Sequence, residues 1–349
     1  MIQEISVAEL AALPTPIFVD VRSEKEFAEA TIPGAVNIPI FHDDERAQLG
    51  TIYRQVSPTA AKDLGLSLAA PKLPDMVRRY RKLEKQGSVV LFCWRGGMRS
   101  RAVATILDLM GLRAYRLVGG YKAYRHSVVE YWDEKPFNFG VVVLRGNTGT
   151  GKTELIQALK QHGRPAVDLE QLANNRGSVF GAVGLGTAPS QKKFEAELTA
   201  ELQTFGSAHW IVVECESKRV GRVSLPNALF QAMQAGRQVL IFDTLENRVN
   251  RLVEEYTAFP DPGPELVEAL DRLAPRLGNE RVKFLNERLV AGDYHTFTRL
   301  LLVEYYDALY GYPNAADPDY SLSISMGDPA AALAQIEQFL DQLEAEAAK

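Results

Sequence analysis

A cysteine followed by glycines and arginines forms the most reactive pattern in the sequence, Cys93-Trp-Arg-Gly-Gly-Met-Arg-Ser100. The apolar run 89–92 before it predicts a buried strand, and residues 99–110 predict a helix. A loop between these elements points backbone N–H groups and the positive end of a helix dipole at the cysteine sulfur. Such surroundings stabilise a thiolate at neutral pH. Cys93 is therefore predicted to be a catalytic nucleophile, with Arg95 and Arg99 positioned to hold an oxyanion.

The alternative is that Cys93 only ends a core strand, because free cysteine is among the most buried residue types. The glycines and arginines after it favour the reactive interpretation, since they are suited to wrapping backbone around an anion. Cys215, the other cysteine, directly follows an apolar run and is expected to pack inside the fold. Two cysteines in 349 residues exclude a disulfide scaffold and fit a reducing, cytoplasmic compartment.

A second motif matches the phosphate-binding pattern G-x-x-x-x-G-K-[ST], between a predicted strand at 140–145 and a predicted helix at 154–161. Its members are Gly146, Asn147, Thr148, Gly149, Thr150, Gly151, Lys152 and Thr153. Backbone N–H groups of such a loop surround a di- or triphosphate, and Lys152 adds a cation at the terminal phosphate oxygens. The Thr153 hydroxyl is placed to reach a Mg²⁺ ion. No tightly bound cofactor is expected.

Two carboxylates follow later strands of the same predicted domain. Asp168 lies where related P-loop transferases place an acid or base, and it could equally cap the helix that begins near residue 170. Glu214 ends the apolar run 210–213, as in a Walker-B strand. We expect it to hold a water on Mg²⁺ or to orient a substrate.

Several cations are candidates for binding a phosphate-rich partner. Lys218, Arg219 and Arg222 follow the Glu214 strand, at the sheet edge that carries the P-loop, and Arg176 lies in the glycine-rich stretch 174–186. A solvated loop is the alternative for the first three. Residues 262–310 predict an added helical layer in which Tyr294, Phe297, Tyr305, Tyr306 and Tyr310 alternate with cations. Aromatic side chains in that setting suit stacking on unpaired bases, and core packing is the alternative for most of them.

The elements that position these residues form an α/β chain of two domains, at 1–134 and 135–349, each with a largely parallel sheet. The formal net charge of −5 neither indicates nor excludes a nucleic-acid partner. No signal peptide or membrane span is predicted. A capping box of Ser23 and Glu26 is expected to begin the first helix. Gly50 and Gly65 are expected to interrupt the helical stretch 42–86.

The first domain resembles a rhodanese domain, in which the loop cysteine carries sulfur or selenium. The resemblance rests on the Cys93 loop, Asp20-Val-Arg22, Glu24-x-Glu26-Phe27, Ile32-Pro-Gly-Ala-Val-Asn-Ile-Pro39 and Gly119-Gly120-Tyr121. Five residues separate Cys93 from Arg99, whereas many sulfurtransferase loops are one residue shorter. This spacing resembles that of cysteine phosphatases with the same fold, whose loop encloses a phosphate. A loop of that size also admits selenophosphate.

The pair of domains resembles the bacterial tRNA 2-selenouridine synthase family over nearly the whole chain. The further motifs that carry the resemblance are Asp168-Leu-Glu-x-Leu-Ala-Asn-x-Arg-Gly-Ser-Val-Phe-Gly181 and Glu214-x-Glu-Ser-Lys-x-Val-Gly221. One departure is Asn175, where the family commonly has histidine.

The resemblance implies that wobble 2-thiouridine of tRNA is S-geranylated from geranyl diphosphate and then converted to 2-selenouridine with selenophosphate. A selenophosphate-supplying enzyme is a candidate partner. Two alternatives remain open: a cysteine phosphatase fused to a nucleotide-binding P-loop domain, and a sulfur-carrier protein with such a domain. Whether the P-loop takes geranyl diphosphate, ATP or GTP also stays open.

Overall fold

The computed structural model describes residues 2–134, 136–177, 180–181, 183–214, 217–257 and 263–348. Its internal contacts divide the chain into two units, one of Met1–Lys135 with Glu195–Glu197 and one of Pro136–Phe194 with Leu198–Lys349. Within the described ranges, the helices are too short or too polar to cross a membrane.

The first unit is built on a five-stranded, fully parallel sheet of order β1-β5-β4-β2-β3. The strands are β1 Gln3–Ile5, β2 Pro16–Asp20, β3 Val36–Asn37, β4 Ser88–Phe92 and β5 Tyr115–Leu117. Central strand β4 is buried from Val89 to Phe92, as its apolar run predicts. Cys93 therefore lies at the carboxyl end of the central strand, where open α/β sheets place their sites.

Six helices cover the two faces of this sheet, and each face has its own apolar core. They are α1 Glu24–Glu29, α2 Asp43–Gln55, α3 Pro58–Ala69, α4 Leu73–Glu84, α5 Met98–Leu109 and α6 Gly120–Asp133, with 3₁₀ turns at Leu10–Ala12 and Ala70–Lys72.

Three local predictions for these helices are wrong. Gly50 and Gly65 lie inside α2 and α3 and do not break them. A Cβ added to Gly65 would lie 3.4 Å from the Phe41 ring, so this glycine allows close packing within a continuous helix. The Ser23 side chain forms no cap hydrogen bond on α1, and the Glu26 carboxylate is instead bonded to Arg99, a contact between distant residues that outcompetes the local cap.

The second unit contains another five-stranded parallel sheet, of order β12-β11-β6-β8-β7. Its strands are β6 Gly140–Arg145, β7 Ala166–Val167, β8 Trp210–Glu214, β11 Arg237–Phe242 and β12 Leu322–Ser325, and an antiparallel hairpin is formed by β9 Arg219–Val220 and β10 Val223–Ser224. The P-loop follows central strand β6. Edge strand β12 is not predicted from the sequence, because its four residues lack an extended apolar run.

Helices α7 Lys152–Gln161 and α17 Pro329–Ala347 contribute to the apolar core of this sheet. The other helices are α8 Leu169–Ala173, α9 Gln191–Thr204, α10 Asn227–Ala235, α11 Leu245–Thr257, α12 Gly263–Asp271, α13 Ala274–Leu277, α14 Asn279–Val290, α15 Tyr294–Leu301 and α16 Asp307–Tyr310, with a π-helical turn at Leu302–Tyr306. Helices α11–α15 and the π-helical turn share a separate core that includes Phe297, Tyr305 and Tyr306. The α/β class with an added helical layer is confirmed.

Candidate active sites

The Cys93 loop is packed tightly against the turn that follows β5. The Tyr121 N–H donates to the Cys93 carbonyl at 2.9 Å, and a Cβ added to Gly120 would lie 2.2 Å from that same oxygen. Only glycine at position 120 permits this approach, which explains the Gly-Gly-Tyr sequence. The Cys93 side chain is 3% exposed, so its sulfur lies at the floor of the loop.

Four consecutive backbone N–H groups in this loop follow the cysteine closely in the chain. Those of Arg95, Gly96, Gly97 and Met98 donate no hydrogen bond to any part of the chain that the structure describes. A run of backbone donors around a concavity is an anion-binding nest. The loop therefore offers an anion several backbone donors beside the predicted nucleophile, Cys93.

Ser100 supplies a hydroxyl to the cysteine that sequence reasoning did not single out. Its Oγ lies 3.2 Å from the Cys93 Sγ, and the side chain is fully buried in the first turn of α5. The hydroxyl also donates to the Gly97 carbonyl at 3.2 Å, and its single proton can turn to a thiolate instead. The signal in the sequence is a serine directly after the last loop arginine.

The two arginines of the loop differ in their surroundings. Arg95 is exposed, whereas Arg99 donates to both oxygens of Glu26, at 2.6 and 3.2 Å. Burial acts to raise the pKa of Glu26, but the hydrogen bond and charge of Arg99, with help from Arg46 at 3.6 Å, lower it overall. Arg99 is thus a fully charged, bidentate donor near Cys93 whose fork is held by a carboxylate.

A buried ion pair lies under the same loop. Arg22 donates to Asp20 and, at 2.6 Å, to the Ala30 carbonyl, and its guanidinium stacks 4.5 Å from the Tyr121 ring and 5.8 Å from the Trp94 ring. The Asp20-Val-Arg22 motif therefore supports the loop from below and does not contact the sulfur directly.

In the second unit, the three glycines of the P-loop, at positions 146, 149 and 151, all have positive φ angles, which favour glycine. Gly146 has a φ of +152°, and a Cβ there would lie 2.1 Å from the Ile241 carbonyl, so no other residue fits. The Lys152 Nζ donates to the carbonyls of Gly146 and Asn147 at 2.8 and 3.2 Å. These contacts hold the lysine across the loop, where a phosphate would meet it.

Residues far along the chain hold the P-loop from outside. From α11, Arg248 donates to the Thr148 carbonyl at 2.9 Å and Arg251 to the Gly149 carbonyl at 3.2 Å. The buried Arg248 also pairs with Asp307 at 3.0 Å. The Asn147 amide donates to the Tyr312 carbonyl at 2.9 Å. The shape of the cradle therefore depends on the helical layer as well as on the motif.

Asp168 caps a helix, which is one of the two roles that the sequence left open, and the acid–base role stays a prediction. Its Oδ1 accepts from the Gln171 N–H at 2.7 Å and so caps α8. Its Oδ2 is buried and has no hydrogen-bond partner in the described part of the chain. One oxygen is therefore structural, and the other is available to a substrate.

Glu214 lies behind α8. It is 1% exposed, and its Oε1 accepts from the Glu170 N–H at 2.7 Å. Burial, followed by the charges of Asp168 and Glu170, raises its pKa well above the usual value. The carboxylate nearer the P-loop is that of Glu170, 3.5 Å from the Thr153 hydroxyl. The sequence analysis does not predict Glu170 as a site residue. Its position two residues after Asp168 is the feature of the sequence that could have indicated it.

A cavity of about 1070 Å³ opens over the P-loop. Its wall brings together Asp168, Arg176 and Arg219 with Gly146 and Thr148–Thr153, whereas Glu214, Lys218 and Arg222 are not part of the described lining. Its apolar and aromatic lining residues are Leu185, Phe230, Leu252, Tyr256, Tyr310 and Tyr312. The cavity therefore combines the P-loop and many polar side chains with a smaller set of apolar and aromatic ones.

Two of the four predicted cations, Arg176 and Arg219, line this cavity. Arg176 pairs with Glu255 at 3.0 Å, and burial raises the pKa of that carboxyl despite the arginine. Lys218, Arg219 and Arg222 are exposed on and around the β9–β10 hairpin. Gly221 in this hairpin packs against Asn175, whose amide nitrogen would lie 2.9 Å from a Cβ there. Cys215 lies outside the described residues.

The residues around Thr153 fit a Mg²⁺ ion for which phosphate oxygens and water supply most of the ligands. No group of three or more His, Cys, Asp or Glu side chains that could hold a metal occurs in the described ranges. Mg²⁺ commonly binds one or two protein groups together with substrate phosphates. The Thr153 hydroxyl beside the P-loop supplies such a group.

Comparison with known proteins covers both units. Residues 6–127 match the family described as Rhodanese-like domain, and residues 139–341 match the family described as tRNA 2-selenouridine synthase AAA domain. A tRNA 2-selenouridine synthase from Pseudomonas syringae pv. syringae is 36% identical over 324 residues, covering 84% of this chain and 87% of that protein. One from Hydrogenovibrio crunogenus is 35% identical over 322 residues, covering 84% and 88%. These matches confirm the two predicted domain types.

Proposed function

The chain belongs to the tRNA 2-selenouridine synthase family, and on that premise we propose that it converts wobble 2-thiouridine of tRNA to 2-selenouridine in two steps. The 2-thiouridine sulfur is first alkylated by geranyl diphosphate, and selenium from selenophosphate then displaces the S-geranyl group. The observation that carries this proposal is the presence in one chain of a cysteine in a loop with unpaired backbone N–H donors and of a P-loop that opens into a cavity with apolar and aromatic lining residues.

The first step uses the P-loop cavity. The diphosphate of geranyl diphosphate lies in the cradle, where Lys152 and the backbone N–H groups stabilise the negative charge that grows as the carbon–oxygen bond breaks. The Thr153 hydroxyl holds Mg²⁺, which neutralises part of the diphosphate charge when bound. Leu185, Phe230 and Leu252 provide an apolar wall for the ten-carbon chain.

S-alkylation of 2-thiouridine also releases a proton. The carbon–sulfur bond forms as diphosphate leaves, and the product is neutral only after the base loses its N3 hydrogen. The Asp168 Oδ2, buried in the cavity wall without a partner, accepts that proton. General-base assistance of this kind contributes about 10²–10⁴-fold to a rate.

The tRNA is held by the cations and the exposed aromatic ring at the cavity. Arg176 and Arg219 line it, and Arg222 and Lys218 lie on the neighbouring hairpin. The Tyr310 ring is 41% exposed and lies nearly parallel to that of Tyr306, with ring centres 6.2 Å apart. An unpaired anticodon base can stack on such a ring.

The second step uses the Cys93 loop. Selenophosphate binds with its phosphate oxygens at the free N–H groups of residues 95–98 and at Arg99, and the Cys93 thiolate frees its selenium. Selenium at the selenide level then attacks C2 of the base, and geranyl thiolate leaves. Alkylation makes this exchange feasible because a thioether-like sulfur leaves more readily than the original thiocarbonyl.

The test is nucleoside mass spectrometry of 2-thiouridine tRNA incubated with protein, geranyl diphosphate and selenophosphate. Wild type should give 2-selenouridine, Cys93→Ala should accumulate S-geranyl-2-thiouridine, and Lys152→Ala should give no alkylation. Lys160→Ala is the matched control, since Lys160 lies on the same helix and pairs with Glu201 at 2.7 Å. Unmodified tRNA in every sample would overturn the proposal. Brisk ATP hydrolysis, with normal alkylation by Lys152→Ala, would reassign the P-loop to nucleotide.

A further inference from the structure

Resting on the proposed function, we infer that Cys93 accepts the phosphoryl group of selenophosphate, not its selenium, and so releases hydrogen selenide. The sulfur–phosphorus bond forms as the phosphorus–selenium bond breaks, and the bonding pair leaves with selenium as HSe⁻. Water then cleaves the cysteinyl phosphate and returns the thiol and inorganic phosphate. This loop thereby acts as a phosphoryl-transfer site within a rhodanese-like domain.

The electron count favours phosphorus as the point of attack. Selenium in selenophosphate is at the selenide level, and so is selenium in the C=Se group of 2-selenouridine. Transfer of selenium to the cysteine as a perselenide would leave the electron pair on phosphorus, which would depart as phosphite. A further reductant would then be needed to return selenium to the selenide level. Phosphoryl transfer needs neither oxidant nor reductant.

The geometry of the loop provides donors for a tetrahedral oxyanion. Four N–H groups, at residues 95–98, have no hydrogen-bond acceptor in the described part of the chain and are therefore available to an anion in the Cys93 loop. Arg99, six positions after the cysteine, presents a planar fork of donors that matches two phosphate oxygens. The structure places this fork on the Glu26 carboxylate, at 2.6 and 3.2 Å, and a phosphate dianion offers it the same two-oxygen geometry.

Ser100 completes the set of groups that phosphoryl transfer requires. Its hydroxyl, 3.2 Å from Sγ, can stabilise the thiolate before attack and again when the thiolate departs from phosphorus. A cysteine that merely stored selenium would need a nucleophilic sulfur but not a ring of oxyanion donors. Unpaired donors beside a thiol suit the electrostatic stabilisation of a transition state in which negative charge grows on phosphoryl oxygens.

The experiment uses the full chain at stoichiometric concentration with selenophosphate, quenched rapidly in alkaline denaturant, in which a cysteinyl phosphate persists. Mass spectrometry of the Cys93 peptide should show an added phosphoryl group, and ³¹P NMR should show phosphate as the phosphorus product. An added selenium atom on Cys93, or phosphite in solution, would overturn the inference. If either of these results came with 2-selenouridine formation, the inference would fail and the proposed function would still hold. If no 2-selenouridine formed at all, the proposed function would be wrong.

Variants of the loop provide a second readout. Arg99→Lys keeps a cation beside Glu26 and so preserves the fold, but it loses the two-oxygen fork. We expect selenide release to fall about 10²–10³-fold, the usual effect of losing an oxyanion donor. Arg101→Ala, an exposed arginine on the same helix, is the matched control and should react at the wild-type rate. Equal rates for Arg99→Lys and wild type would contradict the inference.

Discussion

The guanidinium of Arg99 is held by the carboxylate of Glu26, 73 residues earlier in the chain, through hydrogen bonds of 2.6 and 3.2 Å. The arginine that the Cys93 loop presents to an anion therefore has an internal competitor. An incoming dianion must replace or share this carboxylate before both donors of Arg99 reach it.

Glu26→Gln should therefore tighten anion binding at the loop. Loss of the competing charge releases Arg99, and we expect the KM for selenophosphate to fall about 3- to 10-fold, corresponding to about 0.7–1.4 kcal/mol. Glu24→Gln on the same helix, where Glu24 is bonded to His42, is the control. An unchanged KM would mean that Glu26 remains a ligand of Arg99 when the anion is bound.

The same pair predicts a pH dependence of stability. Because the pKa of Glu26 is lowered in the folded protein, its contribution is fully present above the usual value of 4.5 and is lost as the pH falls through the lowered value. Thermal unfolding of Glu26→Gln should show a flatter decline on the acid side than wild type. Parallel acid limbs for the two proteins would argue against the pair.

Asp168→Asn separates the cap from the proton acceptor. Asparagine is as good an N-cap as aspartate, so the free energy of unfolding should change little, whereas Asp168→Ala should lose about 1 kcal/mol. We expect geranyl transfer by Asp168→Asn to fall about 10²–10⁴-fold at neutral pH. Raising the pH should restore much of that rate, because solvent then removes the N3 proton. A variant as fast as wild type would leave Asp168 with the cap alone.

The raised pKa of Glu214 predicts a pH dependence of folding stability opposite to that of Glu26. Its pKa is raised above 4.5 by burial and neighbouring carboxylates, so the folded state binds a proton that the unfolded state has lost. Stability from this group is present below pH 4.5 and declines as the pH rises toward the raised value. Glu214→Gln should gain melting temperature relative to wild type across that window, and calorimetry would show whether the difference grows with pH.

Tyr310→Leu tests the stacking surface while keeping apolar area. We expect binding of an anticodon stem-loop RNA to weaken about 5- to 150-fold, from a stacking energy of about 1–3 kcal/mol per base. The fluorescence of 2-aminopurine at the wobble position should be quenched by wild type and Tyr310→Phe and not by Tyr310→Leu. Tyr53→Leu, at an exposed tyrosine outside the cavity wall, is the control. Equal quenching by wild type and Tyr310→Leu would contradict base stacking.

Charge reversal at Arg219 and Arg222 should weaken tRNA binding and flatten its salt dependence. Each lost phosphate contact lowers the slope of log affinity against log salt by about 0.7–0.9. Reversal of Arg78 and Arg81, which are exposed on α4, changes the net charge equally and serves as the control. An identical slope for the two double variants would exclude the hairpin from the tRNA-binding surface.

Contiguous motifs were predictable because their geometry is local. The P-loop and the Cys93 loop each follow a buried strand and precede a helix, so residue types within a dozen positions define them. The helix positions of Gly50 and Gly65 were not predictable in the same way. Tertiary packing overrides the weak local preference of glycine for turns.

Contacts between distant residues left no signal in a single sequence. Arg248 and Arg251 were visible only as two cations on one helix face, and their bonds to Thr148 and Gly149 depend on how α11 packs. For the same reason, the sequence predicts a local cap for the Glu26 carboxylate and gives no sign of its pairing with Arg99. Composition and periodicity determine which face of an element is buried, but not which partner meets it.

The outside support of the P-loop also determines the order in which the newborn chain acquires its two sites. The P-loop is held by residues much later in the chain: Arg248, Arg251 and Tyr312 follow their P-loop partners by 100, 102 and 165 positions, respectively. In the Cys93 loop, by contrast, the partner of Arg99 precedes it, and the turn at Gly120 follows about twenty residues later. Ribosomes add about 5–20 residues per second. The Cys93 loop can therefore close about ten seconds or more before the contacts that hold the P-loop are complete. A translation product cut short before residue 312 would keep the first site and lack the second.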